Sequence, residues 1–220
     1  MCVLIANVGE TPWLAANRDE DYARPFSGPV EWPGDTAFWA PRDEQAGGTW
    51  LGVNANGLIA AITNRSGLPE RPGLQSRGAL VTGALGRPSL DAVRAWLQEE
   101  LQRGQLNPFQ LCVVQGTGGF VCISGPDGTR IEELGPGVHV LSNLHEPGEI
   151  RLDARQADPA HVTETLRDHT PRLGGGHAIC KHGESHGTVA SALIEPHVRF
   201  LFAAGPPCRT PLEPVERYPG

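Results

Sequence analysis

The sequence predicts an α+β fold built of mainly antiparallel strands, and three observations carry that expectation. A hairpin opens the chain, short strand-like runs separated by Gly and Pro turns return after Phe109, and the best helical patterns sit in the middle. At 220 residues with 39% apolar content and no linker-like stretch, one sizeable core is expected. A single domain is therefore expected over residues 1–205. Residues 206–220 carry Pro at five positions and little apolar content, and read as a tail lying on the surface or disordered.

Cys2 to Val8 is a largely apolar run that a short connection joins to Pro12–Asp21, giving a hairpin that begins with a thiol and ends in charge. Tyr22 to Gly34, rich in Pro, Gly and aromatics, reads as an ordered loop. Phe38 to Ala40 reads as a short strand, and Thr49 to Asn54 with Leu58 to Asn64 as a second hairpin turning at Asn54-Ala55-Asn56-Gly57. Arg65 to Gly78 is a connection that would roof a pocket near Cys2. A helix is expected over Ser76 to Leu85. Ser89 caps a second helix whose Leu90, Val93, Leu97 and Leu101 form one buried stripe, ended by Gly104.

Four strands follow as an antiparallel meander: Phe109–Gln115, Phe120–Ser124, Thr129–Leu134 and Val138–Ser142. Asp158-Pro159 opens a helix running to about His169, with Asp158 as N-cap. His177–Cys180, Thr188–Ile194 and Val198–Ala203 are the last strands.

A net charge of −7 and a pI near 5.6 leave no basic surface for nucleic acid. No run approaches the ~20 apolar residues of a membrane span, so no membrane insertion is expected. The first residues carry neither a basic segment nor a small-residue cleavage site, which predicts a soluble cytoplasmic protein. Five widely spaced cysteines argue against a disulfide framework, and Cys112 and Cys122 read as inert core residues.

The chemistry concentrates at the start. Cys2 is small enough for Met1 to be trimmed, which would leave a free α-amine beside its own thiol. An α-amine titrates near ~8 and a thiol near ~8.5, so nucleophile and base would share one residue. Arg18 is the guanidinium expected to favour the thiolate. Strand alternation puts Asn17, Asp19 and Asp21 on one face and Arg18 and Glu20 on the other. With Arg18 facing Cys2, Asp19 is free to hold the loop from Tyr22 to Pro25. Asn64 and Asn143 each end a strand where an amide could point into a pocket.

Met1-Cys2, Ala16-Asn17-Arg18-Asp19-Glu20 with Tyr22 and Arg24-Pro25, Gly47-Gly48-Thr49-Trp50-Leu51-Gly52, Ala61-Ile62-Thr63-Asn64 and Leu141-Ser142-Asn143 resemble the NRDE family, also called the transport and Golgi organization protein 2 family. The match is strong over roughly the first two thirds of the chain. That family is similar in turn to the cysteine N-terminal nucleophile (Ntn) hydrolases, which include penicillin V acylase and bile salt hydrolase. The resemblance implies a four-layer αββα sandwich of two sheets. It also implies Cys2 as nucleophile, Arg18 beside it, Asn64 and Asn143 as oxyanion donors or nucleophile-orienting groups, and Asp19 or Asp21 as the acidic partner. Trp50, His186 and Val189 are the expected ligand contacts.

Where the family shows Gly-Thr-Arg, this chain has Gly187-Thr188-Val189, so a second arginine is missing and His186 or Lys181 are the candidate replacements. Two readings of function stay open. One is a hydrolase of a non-peptide C–N amide in a small molecule; the other is a non-enzymatic carrier of a hydrophobic ligand such as haem, a ligand that the resemblance alone suggests. No resident cofactor is expected. His177, Cys180, His182 and His186 cluster in ten residues without a paired Cys-x-x-Cys, and read as solvated loop histidines rather than a metal site.

Overall fold

A computed structural model describes residues 2–103, 106–145, 147–150, 152–153, 155–156, 158–170 and 178–219. The opening hairpin is β1 (Val3–Val8) and β2 (Trp13–Asp21), paired from Val3 opposite Asn17. β3 (Phe26–Trp32), β4 (Phe38–Asp43), β5 (Leu51–Asn54) and β6 (Ile59–Asn64) follow, then α1 (Gly78–Leu85) and α2 (Leu90–Gln102). β7 (Phe109–Gln115), β8 (Gly118–Gly125), β9 (Gly128–Glu133) and β10 (Gly137–Ser142) precede α3 (Val162–Leu166). β11 (His186–Glu195), β12 (Arg199–Ala203) and β13 (Glu213–Pro214) end the chain.

Two wholly antiparallel sheets result. The first has the order β10-β1-β2-β11-β12-β13 and the second β3-β4-β5-β6-β7-β8-β9. Alternation along each strand sorts the apolar side chains. Leu4, Ala6, Leu14 and Ala16 face Val53, Ala61, Cys112 and Val121 between the sheets. Ala60, Ile62 and Leu111 point the other way, under Leu80, Leu85, Val93 and Leu97 of α1 and α2. Val3, Ile5 and Ala15 point outward beneath Val162 and Leu166 of α3. The layers therefore run helix, sheet, sheet, helix.

Several expectations meet the structure closely. Ser89 Oγ accepts from Ala92 N at 3.3 Å and starts α2, and the turn from Asn54 to Gly57 joins β5 to β6. Cys112 and Cys122 are fully buried, and loss of water pushes their thiols up to about 12.

Others are corrected. The expected loop from Tyr22 to Gly34 contains β3, an edge strand whose register shifts between Ser27 and Val30. Gly28 and Pro29 sit at that bulge, where a missing N–H costs no ladder bond, so they hid the strand without preventing it. The four-strand meander stops at β9, because β10 crosses to the other sheet and pairs with β1. The helix opened by Asp158 is only α3: Asp158 Oδ1 accepts from Ala160 N at 2.9 Å in a turn that precedes it. Residues 178–180 form no strand, and His177 lies outside the described residues. In the expected tail, β13 extends the first sheet, and Tyr218 packs edge-on against Trp39 and Phe200.

Asn17 ties the outer layer to the sheet. Its Nδ2 donates to the carbonyls of Leu166 at 2.9 Å and Ile179 at 3.0 Å, and its Oδ1 accepts from Ser191 Oγ at 2.7 Å. Asn17→Ala leaves these buried groups unpaired, and is expected to lower unfolding free energy by about 2–3 kcal/mol, read by urea denaturation.

Candidate active site

β2 ends in Asn17-Arg18-Asp19-Glu20, and alternation gives each of the four a different job. Asn17 points outward as above. Arg18 points inward and is 4% exposed, its guanidinium 4.4 Å from the Trp50 ring and 5.5 Å from the Phe26 ring. Glu20, on the same face, lies 3.6 Å from Arg18. Asp19 points outward, where its Oδ1 accepts from Thr188 Oγ1 at 2.6 Å. The loop after Tyr22 is held by Asp21, which is exposed and accepts from Ala23 N at 2.9 Å.

Cys2 stands beside the start of β1, half-buried, with Sγ 3.7 Å from the carbonyl oxygen of Asp19. It lines a cavity of about 290 Å³ with Arg18, Asp19, Glu20, Trp50 and Asn64. Gln75, Ser76, Arg77 and Gly78, the end of the connection expected to roof this pocket, line it too. The roof can sit so close because Gly48 and Gly78 touch backbone to backbone. A Cβ on Gly48 would come within 2.8 Å of Gly78 C, and Gly47 makes the preceding turn at φ 74°.

Asp43 and Arg24 also line the cavity, and neither was among the expected site residues. Asp43, at the end of β4, accepts from Arg18 Nη2 at 3.0 Å and Arg24 Nε at 2.8 Å through Oδ2, and from Gln45 N and Ala46 N through Oδ1. No local pattern marks an aspartate in Pro-Arg-Asp-Glu as the partner of an arginine 25 positions earlier. Arg24 was visible only as part of the family pattern.

Electrostatics at Cys2 differ from the expectation of a thiolate favoured by Arg18. Burial pushes the thiol above its ordinary value, and the negative charge of Asp19 adds to that, while Arg18 offsets only part. Burial also lowers Arg18, against the pull of Glu20 and Asp43, yet a guanidinium stays charged. One of its nitrogens, Nη1, is buried with no hydrogen-bond partner among the described residues. Asp19 is raised by burial, with the Thr188 hydroxyl and Lys181 opposing.

The remaining expected site residues are dispersed. Asn143 is buried behind Cys2. Its backbone N donates to Cys2 O at 3.4 Å, and its Nδ2 donates to Ser66 Oγ at 2.5 Å. Asp21, His186 and Val189 are absent from the cavity wall among the described residues. Val189 is the extra residue of a β-bulge between Thr188 and Ala190, and His186 is exposed opposite Asp21. Lys181 is the cation that feels both Asp19 and Cys2.

Asp19→Asn is expected to speed Cys2 alkylation by iodoacetamide several-fold near neutral pH, because removing a negative charge lowers the thiol's pKa. Asp21→Asn should leave the rate unchanged. Peptide mapping of alkylation from about pH 7 to about pH 10 checks both.

Solved structures share this arrangement of sheets. Penicillin V acylase from Agrobacterium tumefaciens matches with a TM-score of 0.55 at 14% identity, over 92% of this chain and 83% of that one. A mutant conjugated bile acid hydrolase from Clostridium perfringens matches with a TM-score of 0.53 at 9% identity, over 99% of this chain and 97% of that one. The fold is thus similar to that of the Ntn hydrolases. Residues 1–168 match the family model for Transport and Golgi organisation 2, and the chain belongs to that family. The Transport and Golgi organization 2 homologs of Mus musculus and Homo sapiens are each 33% identical to it over 138 residues, 59% of this chain and 49% of theirs. The chain spans about half the length of the curated relatives it matches. Among the described residues no helix is long and apolar enough to cross a membrane.

Proposed function

We propose that this chain is a cysteine hydrolase of the Ntn type, cleaving a non-peptide C–N amide bond in a small molecule. The observation that carries the reading is Cys2 on the wall of a polar cavity shared with Arg18, Asp19 and Asn64. Removal of Met1 would leave the Cys2 α-amine beside Sγ and near the Asp19 carboxylate, which favours its protonated form once it has accepted a proton.

The amine takes the thiol proton as sulfur bonds to the amide carbon and the carbonyl π pair moves onto oxygen. Asn64 is the amide donor on the cavity wall for that oxyanion, while Asn143 steadies Cys2 from behind through its backbone. Collapse breaks the C–N bond, and the leaving nitrogen takes the proton back from the ammonium. Water then attacks the thioester, releasing the acid and restoring the thiol. Arg18 Nη1, buried and without a hydrogen-bond partner among the described residues, offers positive charge to the negative charge that develops. Lys181, whose charge acts on Asp19 and Cys2, is the candidate for the second positive charge. A free nucleophilic thiol is kept reduced in the cytoplasm, which is consistent with that location.

A cavity of about 290 Å³ lined by Arg18, Arg24, Glu20 and Asp43 favours a small polar substrate over haem. A hydrophobic macrocycle would strip those charges of water without replacing it. The test is purified protein, checked by intact mass for loss of Met1, against a panel of small-molecule amides, with a parallel haem titration. Turnover confined to the Met1-free protein, with an acyl adduct on Cys2, is expected. No turnover and no adduct from Met1-free protein would overturn the reading, and a stoichiometric haem complex would favour the carrier instead.

A further inference from the structure

Away from the cavity, three stretches distant in sequence bring four metal-ligating side chains to one point. His169 follows α3, Cys180 and His182 precede β11, and Cys208 follows β12. One ligand atom from each lies within 4.8 Å of all the others. Cys180 Sγ is 3.7 Å from Cys208 Sγ, and His182 Nε2 is 3.2 Å from Cys208 Sγ and 3.9 Å from Cys180 Sγ. The rings of His169 and His182 stack with centroids 5.1 Å apart.

These separations match one geometry. A tetrahedral zinc with Zn–S of about 2.3 Å and Zn–N of about 2.0 Å has S···S edges of ~3.8 Å and S···N edges of ~3.5 Å. A disulfide would need the sulfurs at about 2.05 Å, well inside their separation here. We propose that His169, Cys180, His182 and Cys208 form a structural zinc site. Two thiolates neutralise the ion, two imidazoles complete the tetrahedron, and no position is left for a substrate, which separates this site from metal catalysis.

The segment expected to carry only solvated histidines thus supplies two ligands, and the other two come from 11 residues before Cys180 and 28 after it. The ion would clamp the stretch after β12 onto the stretch before β11. It would also steady the candidate active site, since Lys181 lies between two ligands. Lys181 N donates to Thr188 Oγ1 at 2.9 Å, and that hydroxyl donates to Asp19.

The test is elemental analysis of full-length protein purified with reductant, reconstituted with Zn²⁺ alone and dialysed. About one zinc per chain is expected, falling by more than roughly tenfold in Cys208→Ser and in His169→Gln. His169 and His182 are exposed and Cys208 is half-buried, so the variants should fold. In the unaltered protein, Zn²⁺ should shield Cys208, the half-buried thiol of the pair, from alkylation and raise the melting temperature, and Co²⁺ should give the visible bands of a tetrahedral thiolate site. Alkylation of Cys208 at the same rate with and without Zn²⁺ would overturn the proposal. So would a Cys180–Cys208 disulfide in protein kept under reductant, or zinc content unchanged in both variants.

Discussion

Cys2→Ala is expected to keep the fold and the affinity for an amide substrate while losing turnover by at least ~10³-fold. The side chain belongs to none of the three apolar clusters and is half-buried, so removing sulfur opens little core volume. What disappears is the atom that bonds to carbon, the thiol sulfur that Cys2 brings to the cavity wall. Arg77 and Ser76 in the cavity lining remain able to hold substrate, so KM should change far less than kcat. Steady-state kinetics with a thermal melt of each protein separate the two effects. Equal turnover in Cys2→Ala would show that hydrolysis arises elsewhere, whatever the fold resembles.

Asp43→Ala is expected to lower stability by about 3–5 kcal/mol. Asp43 is a hub: one oxygen accepts from Arg18 and Arg24, and the other holds the backbone of Gln45 and Ala46. Truncation leaves Arg18 buried against Trp50 with Glu20, 3.6 Å away and partly exposed, as its remaining acidic neighbour. The loop carrying Gly47 and Gly48 loses its anchor as well, so the contact with Gly78 that shapes the cavity should loosen. Chemical denaturation measures the cost. Asp43→Asn, which keeps one acceptor, should cost less; equal losses in the two variants would mean that the charge, rather than the hydrogen bonds, carries the effect.

The chain's own alternation decided most of the strands and the sidedness of the site. A period of two along β2 separates Arg18 from Asp19 before any partner is known, because successive side chains on a strand must point to opposite faces. The 3-4-4 spacing from Leu90 and the Ser89 cap likewise determined α2, since both are local backbone properties. Only tertiary structure could decide that β10 leaves the meander to pair with β1, and that β3 survives Gly28 and Pro29 at an edge. The same holds for Asp43 meeting Arg18, and for His169 and Cys208 meeting Cys180 and His182. Each of these joins residues whose separation along the chain carries no periodic signal. Their meeting is set by how two sheets and their loops pack, a long-range outcome that short-range residue patterns do not encode.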